Sequence, residues 1–150
     1  DQELYPVYAR CLDRGVPVIF HSGVSSFPGS RTSCGNPELL MDAVDYFGDL
    51  DFVFAHGGRG WWYDAAAFMA QANPNVWLDL AGLPPKKLPE YYRNFDLSRL
   101  AENMIFATDW PGVPGARRNV DALVGLGLAD QTLTDVLAGN AAKVFPRLGL

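Results

Sequence analysis

The sequence has 150 residues, of which 49% are hydrophobic and 19% are charged, and its net charge at pH 7 is −5. These values are typical of one soluble globular domain. The acidic balance argues against a nucleic-acid partner, because a phosphate-binding surface needs clustered lysine and arginine. No apolar stretch approaches the roughly 20 residues of a membrane span, and the N-terminus has no signal pattern, so we expect a cytoplasmic protein without a membrane partner.

Helical patterns recur along the whole chain. The first predicted helix covers residues 4–14 and ends at Gly15. The second covers residues 36–48, where Asn36 is a suitable cap, Pro37 suits the first helical position and the apolar residues recur at helical spacing. Further helices are predicted over residues 61–74, 89–101, 117–126, 131–139 and 140–145.

Four short apolar runs alternate with these helices. Residues 16–23, 51–58, 75–82 and 103–111 read VPVIFHSG, DFVFAHGG, NVWLDLAG and NMIFATDWP. This alternation predicts βα units and a parallel sheet. Because no linker or low-complexity segment interrupts it, we predict one α/β domain over residues 1–150.

Each run carries a polar side chain near its C-terminal end. The chain has only two histidines, and both, His21 and His56, stand at this place, as do Asp79 and Asp109. Ligands bind at this edge of parallel sheets and barrels, because the loops that follow the strands converge there. The placement therefore predicts a functional site.

Alternation along a strand gives the expected direction of these side chains. Residues two apart point to the same face of a sheet. The pairs expected to share a face are Ile19 with His21, Phe54 with His56, and Ala107 with Asp109. If that face lines the inside of a barrel, both imidazoles and the carboxylate of Asp109 point into one mouth.

Four motifs in the chain identify a family. HGGRGWWYDAA, NVWLDLAGLPP, ATDWPGVP and GNAAKVF, in this order, resemble the C-terminal half of the amidohydrolase superfamily. The branch is the one that contains aminocarboxymuconate-semialdehyde decarboxylase, and the resemblance covers essentially the whole chain. It implies a parallel (β/α)8 barrel of the TIM type, of which this chain supplies the last four βα units.

The resemblance also implies roles for three side chains. His21 would bind a divalent metal, zinc above all and manganese as the alternative. His56 would be a catalytic group or would support a ligand, and Asp109 would bind the metal or handle a proton. A neutral imidazole and a carboxylate suit such an ion, which lowers the pKa of bound water and polarises carbonyl groups. The simpler readings are a buried core histidine and an aspartate that caps a turn.

The implied function is that of a metal-dependent hydrolase or non-oxidative decarboxylase, acting on a small carboxylated or cyclic organic substrate. Alternatives are a metal-independent lactonase on the same barrel and a non-catalytic fragment. The superfamily takes a His-x-His pair from its first strand, and this chain has no such pair. We therefore expect the isolated chain to be inactive, with two open sheet edges and an exposed apolar inner face. A homodimer is also expected.

Further residues are candidates for substrate binding. Arg59 is predicted to bind a substrate carboxylate or to be a solvated loop residue. Trp61 is predicted to contact an aromatic substrate or to pack the start of a helix. The long loop around residues 23–37 is predicted to cover the mouth. Asp79 is expected either to point into the barrel or to act as a cap or in a salt bridge.

The two cysteines indicate no further chemistry. Cys11 and Cys34 form no C-x-x-C pair, and two thiols make neither a disulfide framework nor a thiolate metal site. We expect both to be free.

Overall fold

The structure is a computed structural model and describes residues 2–111 and 115–148. The strands are β1 (Val18–Gly23), β2 (Phe52–Arg59), β3 (Val76–Asp79) and β4 (Met104–Ile105). The α-helices are α1 (Tyr5–Asp13), α2 (Met41–Tyr46), α3 (Tyr63–Ala72), α4 (Leu88–Tyr91), α5 (Leu97–Leu100), α6 (Ala116–Val124), α7 (Asp130–Thr134) and α8 (Asn140–Val144). None of the helices within these two ranges has the length and apolar character needed to cross a bilayer.

The four strands form one sheet in the order β1-β2-β3-β4, and every neighbouring pair is parallel. The predicted α/β architecture with a parallel sheet is therefore confirmed. Cys11 and Cys34 are free.

The two faces of the sheet are covered differently. Phe52, Phe54, Val76, Leu78 and Met104 belong to the large core, which also contains buried residues of α2 and α3. The opposite face carries Val53, Trp77 and Ile105, which form a smaller cluster with Val144 of α8. Both clusters follow from the strict alternation of side chains along the strands. Near β1 this second face is open, and Ile19 is 60% exposed there.

Several predicted elements differ from the observed ones in extent. The predicted helix over residues 36–48 is a 3₁₀ turn, Pro37–Leu40, followed by α2. The predicted helix over residues 89–101 is divided into α4 and α5, because the carboxylate of Asp96 caps a new helix by accepting from Ser98 N and Arg99 N. The predicted strand over residues 103–111 forms a strand only over Met104–Ile105, which is β4.

The free edge of β4 is not open, which corrects the expectation of two open edges. The carbonyl of Ile105 accepts from Leu80 N of the β3 side at 2.9 Å. The neighbouring groups point the other way, where Met104 O accepts from Asn140 Nδ2 at 2.8 Å and Phe106 N donates to Val136 O at 2.9 Å. The C-terminal helical segment therefore takes the place of a fifth strand at this edge.

A π-helical segment makes the hydrogen bond between Phe106 N and Val136 O possible. Asp135–Gly139 joins α7 to α8, and the backbone N–H of Asn140 donates to Asp135 O, one residue earlier than in an α-helix. The carbonyl of Val136 thus loses its usual helical donor and is available to Phe106.

Asp51, which precedes β2, is expected to make the stability depend on pH. Its Oδ1 accepts from Trp77 Nε1 at 2.7 Å, and burial raises the pKa of its carboxyl group. The folded state therefore retains the proton to a higher pH than the unfolded chain does. The free energy of unfolding should fall as the pH rises from the unfolded value of about 3.9 through the raised pKa.

Asp51→Asn keeps an oxygen acceptor for Trp77 but does not titrate, so its unfolding free energy should depend less on pH in this window. Urea unfolding of the full-length protein between pH 4 and 7 measures the slope. Asp49→Asn, at an exposed position nearby, is the control and should leave the slope unchanged. An Asp51→Asn slope equal to that of the wild type would contradict the assignment.

Candidate active site

A bulge in β2 determines where His56 lies. His21 pairs with Ala55 and Gly23 pairs with Arg59, so three residues of β2 stand opposite Ser22 of β1. All three have left-handed backbone: φ is 68° at His56, 51° at Gly57 and 80° at Gly58. Histidine tolerates this conformation better than most residues, and glycine adopts it freely.

The bulge corrects the expectation that Phe54 and His56 share a face. Phe54 is fully buried in the large core beneath the helices, where its ring contacts the partly buried Phe20. The His56 ring instead lies beside His21, with 4.9 Å between the ring centroids and 70° between the planes. Left-handed residues break the two-residue alternation, so the two histidines meet although simple alternation would have separated them.

One ring nitrogen of His56 is held by the backbone. Nδ1 lies 2.8 Å from Ala81 O. A carbonyl oxygen can only accept, so Nδ1 carries a hydrogen and donates it, and in the neutral ring Nε2 then has a free lone pair. The residue after His56 is also held, because the buried Tyr92 hydroxyl donates to Gly57 O at 2.8 Å. Burial raises the pKa of Tyr92, so this hydroxyl stays protonated.

Three side chains converge on Gly82, which follows β3 with a φ of 69°. A Cβ atom built on this glycine would lie 2.8 Å from Arg59 Nη1, 2.9 Å from Asp109 Oδ2 and 3.5 Å from His56 Nδ1. The guanidinium and the imidazole both come from the end of β2, whereas the carboxylate comes from the segment that follows β4. Glycine is required at this point because any side chain would occupy the space where they meet.

Asp109 reaches the site from the segment that follows β4. Its backbone is left-handed, with a φ of 63°, a conformation that aspartate tolerates. Burial raises the pKa of the Asp79 carboxyl group, and the nearby charge of Asp109 adds to this rise. The pKa of His21 is lowered, first by burial and then by its electrostatic interaction with His56. Both effects favour the neutral imidazole, which is the form that binds metal ions.

A cavity of about 770 Å³ opens in front of these groups. Its walls include His21, His56, Arg59 and Asp109. The loop that precedes α2 forms another wall through residues that include Phe27 and Arg31, as expected of a loop over the mouth. Trp110 adds a further aromatic surface and is 79% exposed. The cavity thus combines apolar walls with a few charged groups, as small-molecule sites do.

The structure brings Arg59 into this cavity but not Trp61. Arg59 Nη2 donates to Val24 O at 3.5 Å, and within residues 2–111 and 115–148 its guanidinium has no carboxylate partner. Trp61 is 73% exposed and lines a separate cavity of about 330 Å³ with Tyr63 and Tyr91. Trp110, and not Trp61, provides the exposed aromatic side chain of this cavity.

The donor atoms fit a divalent metal in kind but not in number. His21 and Asp109 offer one imidazole and one carboxylate, which zinc accepts, whereas a catalytic zinc site usually has three protein ligands. Among the residues that the structure describes, no three His, Cys, Asp or Glu side chains are grouped so that they could hold an ion. The described residues therefore supply, at most, part of a metal site.

Comparison with protein families gives one match. The model of the amidohydrolase family matches residues 1–147. The chain belongs to the amidohydrolase family. The match includes all four strands and all the residues of the cavity wall. No curated protein matches this amidohydrolase chain.

Solved structures share the fold. An uncharacterized TIM-barrel protein from Bordetella bronchiseptica is 28% identical with a TM-score of 0.81, and the match covers 100% of this chain and 52% of that protein. 4-Oxalomesaconate hydratase from Rhodopseudomonas palustris is 18% identical with a TM-score of 0.66, and the match covers 99% of this chain and 51% of that protein. 2,6-Dihydroxybenzoate decarboxylase from Rhizobium is 17% identical with a TM-score of 0.65, and the match covers 96% of this chain and 55% of that protein. The amidohydrolase chain spans about half the length of these proteins, which confirms the half-barrel.

Proposed function

We propose that the complete protein is a metal-dependent hydrolase or non-oxidative decarboxylase, and that this chain provides half of its barrel and part of its active site. The observation that supports this most strongly is the convergence of Arg59, His56 and Asp109 at Gly82, with His21 packed against His56. The end of β2 and the distant segment after β4 place a cation, an imidazole and a carboxylate around one point. Such an arrangement suits proton transfer and the binding of an anionic substrate.

In this proposal His21 and Asp109 hold the ion, and the remaining ligands come from the part of the protein outside this chain. Zinc is the proposed ion and manganese the alternative, because both accept imidazole and carboxylate donors. When bound, the ion would polarise an oxygen atom of the substrate or lower the pKa of a water molecule.

The other roles follow from the geometry of the chain itself. His56 lines the cavity, and Nε2 of its neutral ring has a free lone pair, so in this proposal His56 accepts a proton and returns it to the product. Asp109 is the second group able to accept a proton. Arg59 has no carboxylate partner in the described part of the chain, so its guanidinium is free to bind a substrate carboxylate through two hydrogen bonds.

The proposed substrates are small carboxylated or cyclic organic compounds. The unpaired charge of Arg59 and the apolar walls formed by Phe27 and Trp110 support this class. Two of the structures with the same fold are named for a hydratase of 4-oxalomesaconate and a decarboxylase of 2,6-dihydroxybenzoate. A cytoplasmic location and a homodimer stay predictions.

Metal analysis combined with turnover tests the proposal. The full-length protein is assayed against a panel of carboxylic acids, esters and lactones before and after treatment with a chelator, and then after zinc or manganese is restored. We expect activity that is lost with the ion and recovered with it. Lactone opening that survives removal of the ion would instead identify a metal-independent lactonase. Absence of turnover under all conditions would favour the non-catalytic reading.

A further inference from the structure

The turn after β3 connects a carboxylate to His56 through a single residue. Asp79 Oδ1 accepts from Ala81 N at 2.6 Å, and Ala81 O accepts from His56 Nδ1 at 2.8 Å. Asp79 ends β3 and pairs with Ala55, the residue directly before His56. The same alanine thus receives one hydrogen bond from the catalytic candidate and gives one to Asp79.

The conformation of this turn is closely determined. Leu83 N donates to Leu80 O at 3.0 Å, which closes the turn over Ala81 and Gly82. Leu80 and Ala81 are buried, and Gly82 has left-handed backbone with side chains on its open side. The Ala81 carbonyl therefore has little freedom to turn away from His56 while Asp79 holds the N–H of the same residue.

We propose that Asp79 is a positioning residue that acts on His56 through the backbone of Ala81. By fixing the direction of the Ala81 carbonyl, it keeps the ring hydrogen of His56 on Nδ1 and directs the unprotonated Nε2 toward the cavity. The importance of this for turnover rests on the proposed function, whereas the state of the ring does not.

The location of the hydrogen decides what His56 can do. A neutral imidazole donates through one nitrogen and accepts through the other. Free histidine in water prefers the hydrogen on Nε2, so the opposite state in this protein has to be maintained by a partner. Without Asp79 the Ala81 carbonyl is less constrained, and Nε2 would become a donor that is unable to accept a proton.

Nitrogen NMR of the full-length protein labelled with ¹⁵N-histidine tests this directly. Two-bond ¹H–¹⁵N spectra, recorded at a pH where the ring is neutral, distinguish a ring nitrogen that carries hydrogen from one that does not. The His56 signals are identified by their loss in His56→Gln. We expect the hydrogen on Nδ1 in the wild type, loss of this pattern in Asp79→Ala, and its retention in Asp79→Asn, whose amide oxygen can still accept from Ala81 N.

Asp51→Ala is the matched control. Asp51 is also an aspartate beside a strand whose carboxylate accepts one hydrogen bond, from Trp77, but it lies at the opposite end of the sheet. Its loss should lower stability and leave the His56 pattern unchanged. A general effect of destabilisation would alter the pattern in both alanine variants and would overturn the proposal.

Two further results would overturn it. One is an Asp79→Ala protein that is folded by circular dichroism and keeps the wild-type pattern. The other is a hydrogen on Nε2 in the wild type, which needs no variant and stays decisive even if Asp79→Ala does not fold. If the pattern follows Asp79 but the wild type turns over no compound of the panel, the proposed function fails and this inference stands.

Discussion

Asp109→Asn is expected to lower the kcat of the full-length protein by about 100- to 10,000-fold, the usual effect of losing a group that transfers a proton. The amide has nearly the same shape as the carboxylate, but it neither accepts a proton at neutral pH nor binds a divalent ion well. Asparagine adopts left-handed backbone readily, so a φ of 63° at this position should cause no new strain. The measurement is steady-state turnover of the compound found in the substrate panel, together with the metal content of the purified variant.

Asp45→Asn provides the comparison for this variant. Asp45 is exposed on α2, away from the cavity, and its replacement by asparagine makes the same change in charge as Asp109→Asn. It should retain wild-type turnover and metal content. An Asp109→Asn protein that keeps its turnover within about two-fold would remove Asp109 from the catalytic machinery, since even modest acid–base contributions are larger than that.

Phe54→Ala is expected to lower the free energy of unfolding by about 3–5 kcal/mol. Phe54 is 0% exposed in the centre of β2, and its ring packs edge-on against Phe20 with 6.5 Å between centroids. Removing the ring loses its burial and leaves a cavity between the sheet and the helices. The midpoint and slope of urea unfolding of the full-length protein give this value.

Phe68→Ala makes the same chemical change on α3, where the side chain is 60% exposed. It should change the free energy of unfolding by no more than about 0.5 kcal/mol. Equal losses from both variants would show that the face assigned to Phe54 is wrong, and with it the account of why His56 leaves that face.

The parallel sheet was predictable because its strands are dense runs of apolar residues separated by helical patterns. Such runs can be recognised from neighbouring residues in the sequence alone. The lengths of the helices and strands were harder to predict. Residues 36–48 have helical spacing throughout, but spacing does not distinguish a 3₁₀ turn from an α-helix. The run over residues 103–111 looks like a strand, although beyond Ile105 its backbone bonds to Val136 of a helical segment and not to a strand.

The site was predictable in its members more than in its geometry. Histidine and aspartate at strand ends indicated His21, His56 and Asp109 directly. The left-handed run that turns His56 to the other face has a signal in the sequence only in Gly57 and Gly58, which follow it. The part played by Ala81 has no signature at all, because it depends on a backbone carbonyl that every residue possesses.

The two tryptophans that could contact a substrate, Trp61 and Trp110, lie in different cavities for a similar reason. Trp61 and Trp110 both follow a site residue within a few positions, and composition does not distinguish them. The direction of the chain after each strand decides which ring faces the cavity. Trp110 continues from Asp109 along the wall, whereas Trp61 precedes α3 and lies outside it.

The helical cover over Met104 and Phe106 makes the two ends of the half-barrel unequal. Two identical copies could join into a symmetric ring of eight strands only if the last strand of each accepted the first strand of the other, and the Asn140 amide and the Val136 carbonyl already occupy those backbone positions. Any strand that pairs with this edge, whether from a second copy or from the rest of the barrel, therefore has to displace these two bonds or pair beyond Phe106. At the other edge of the sheet, β1 pairs with no strand other than β2 among the described residues.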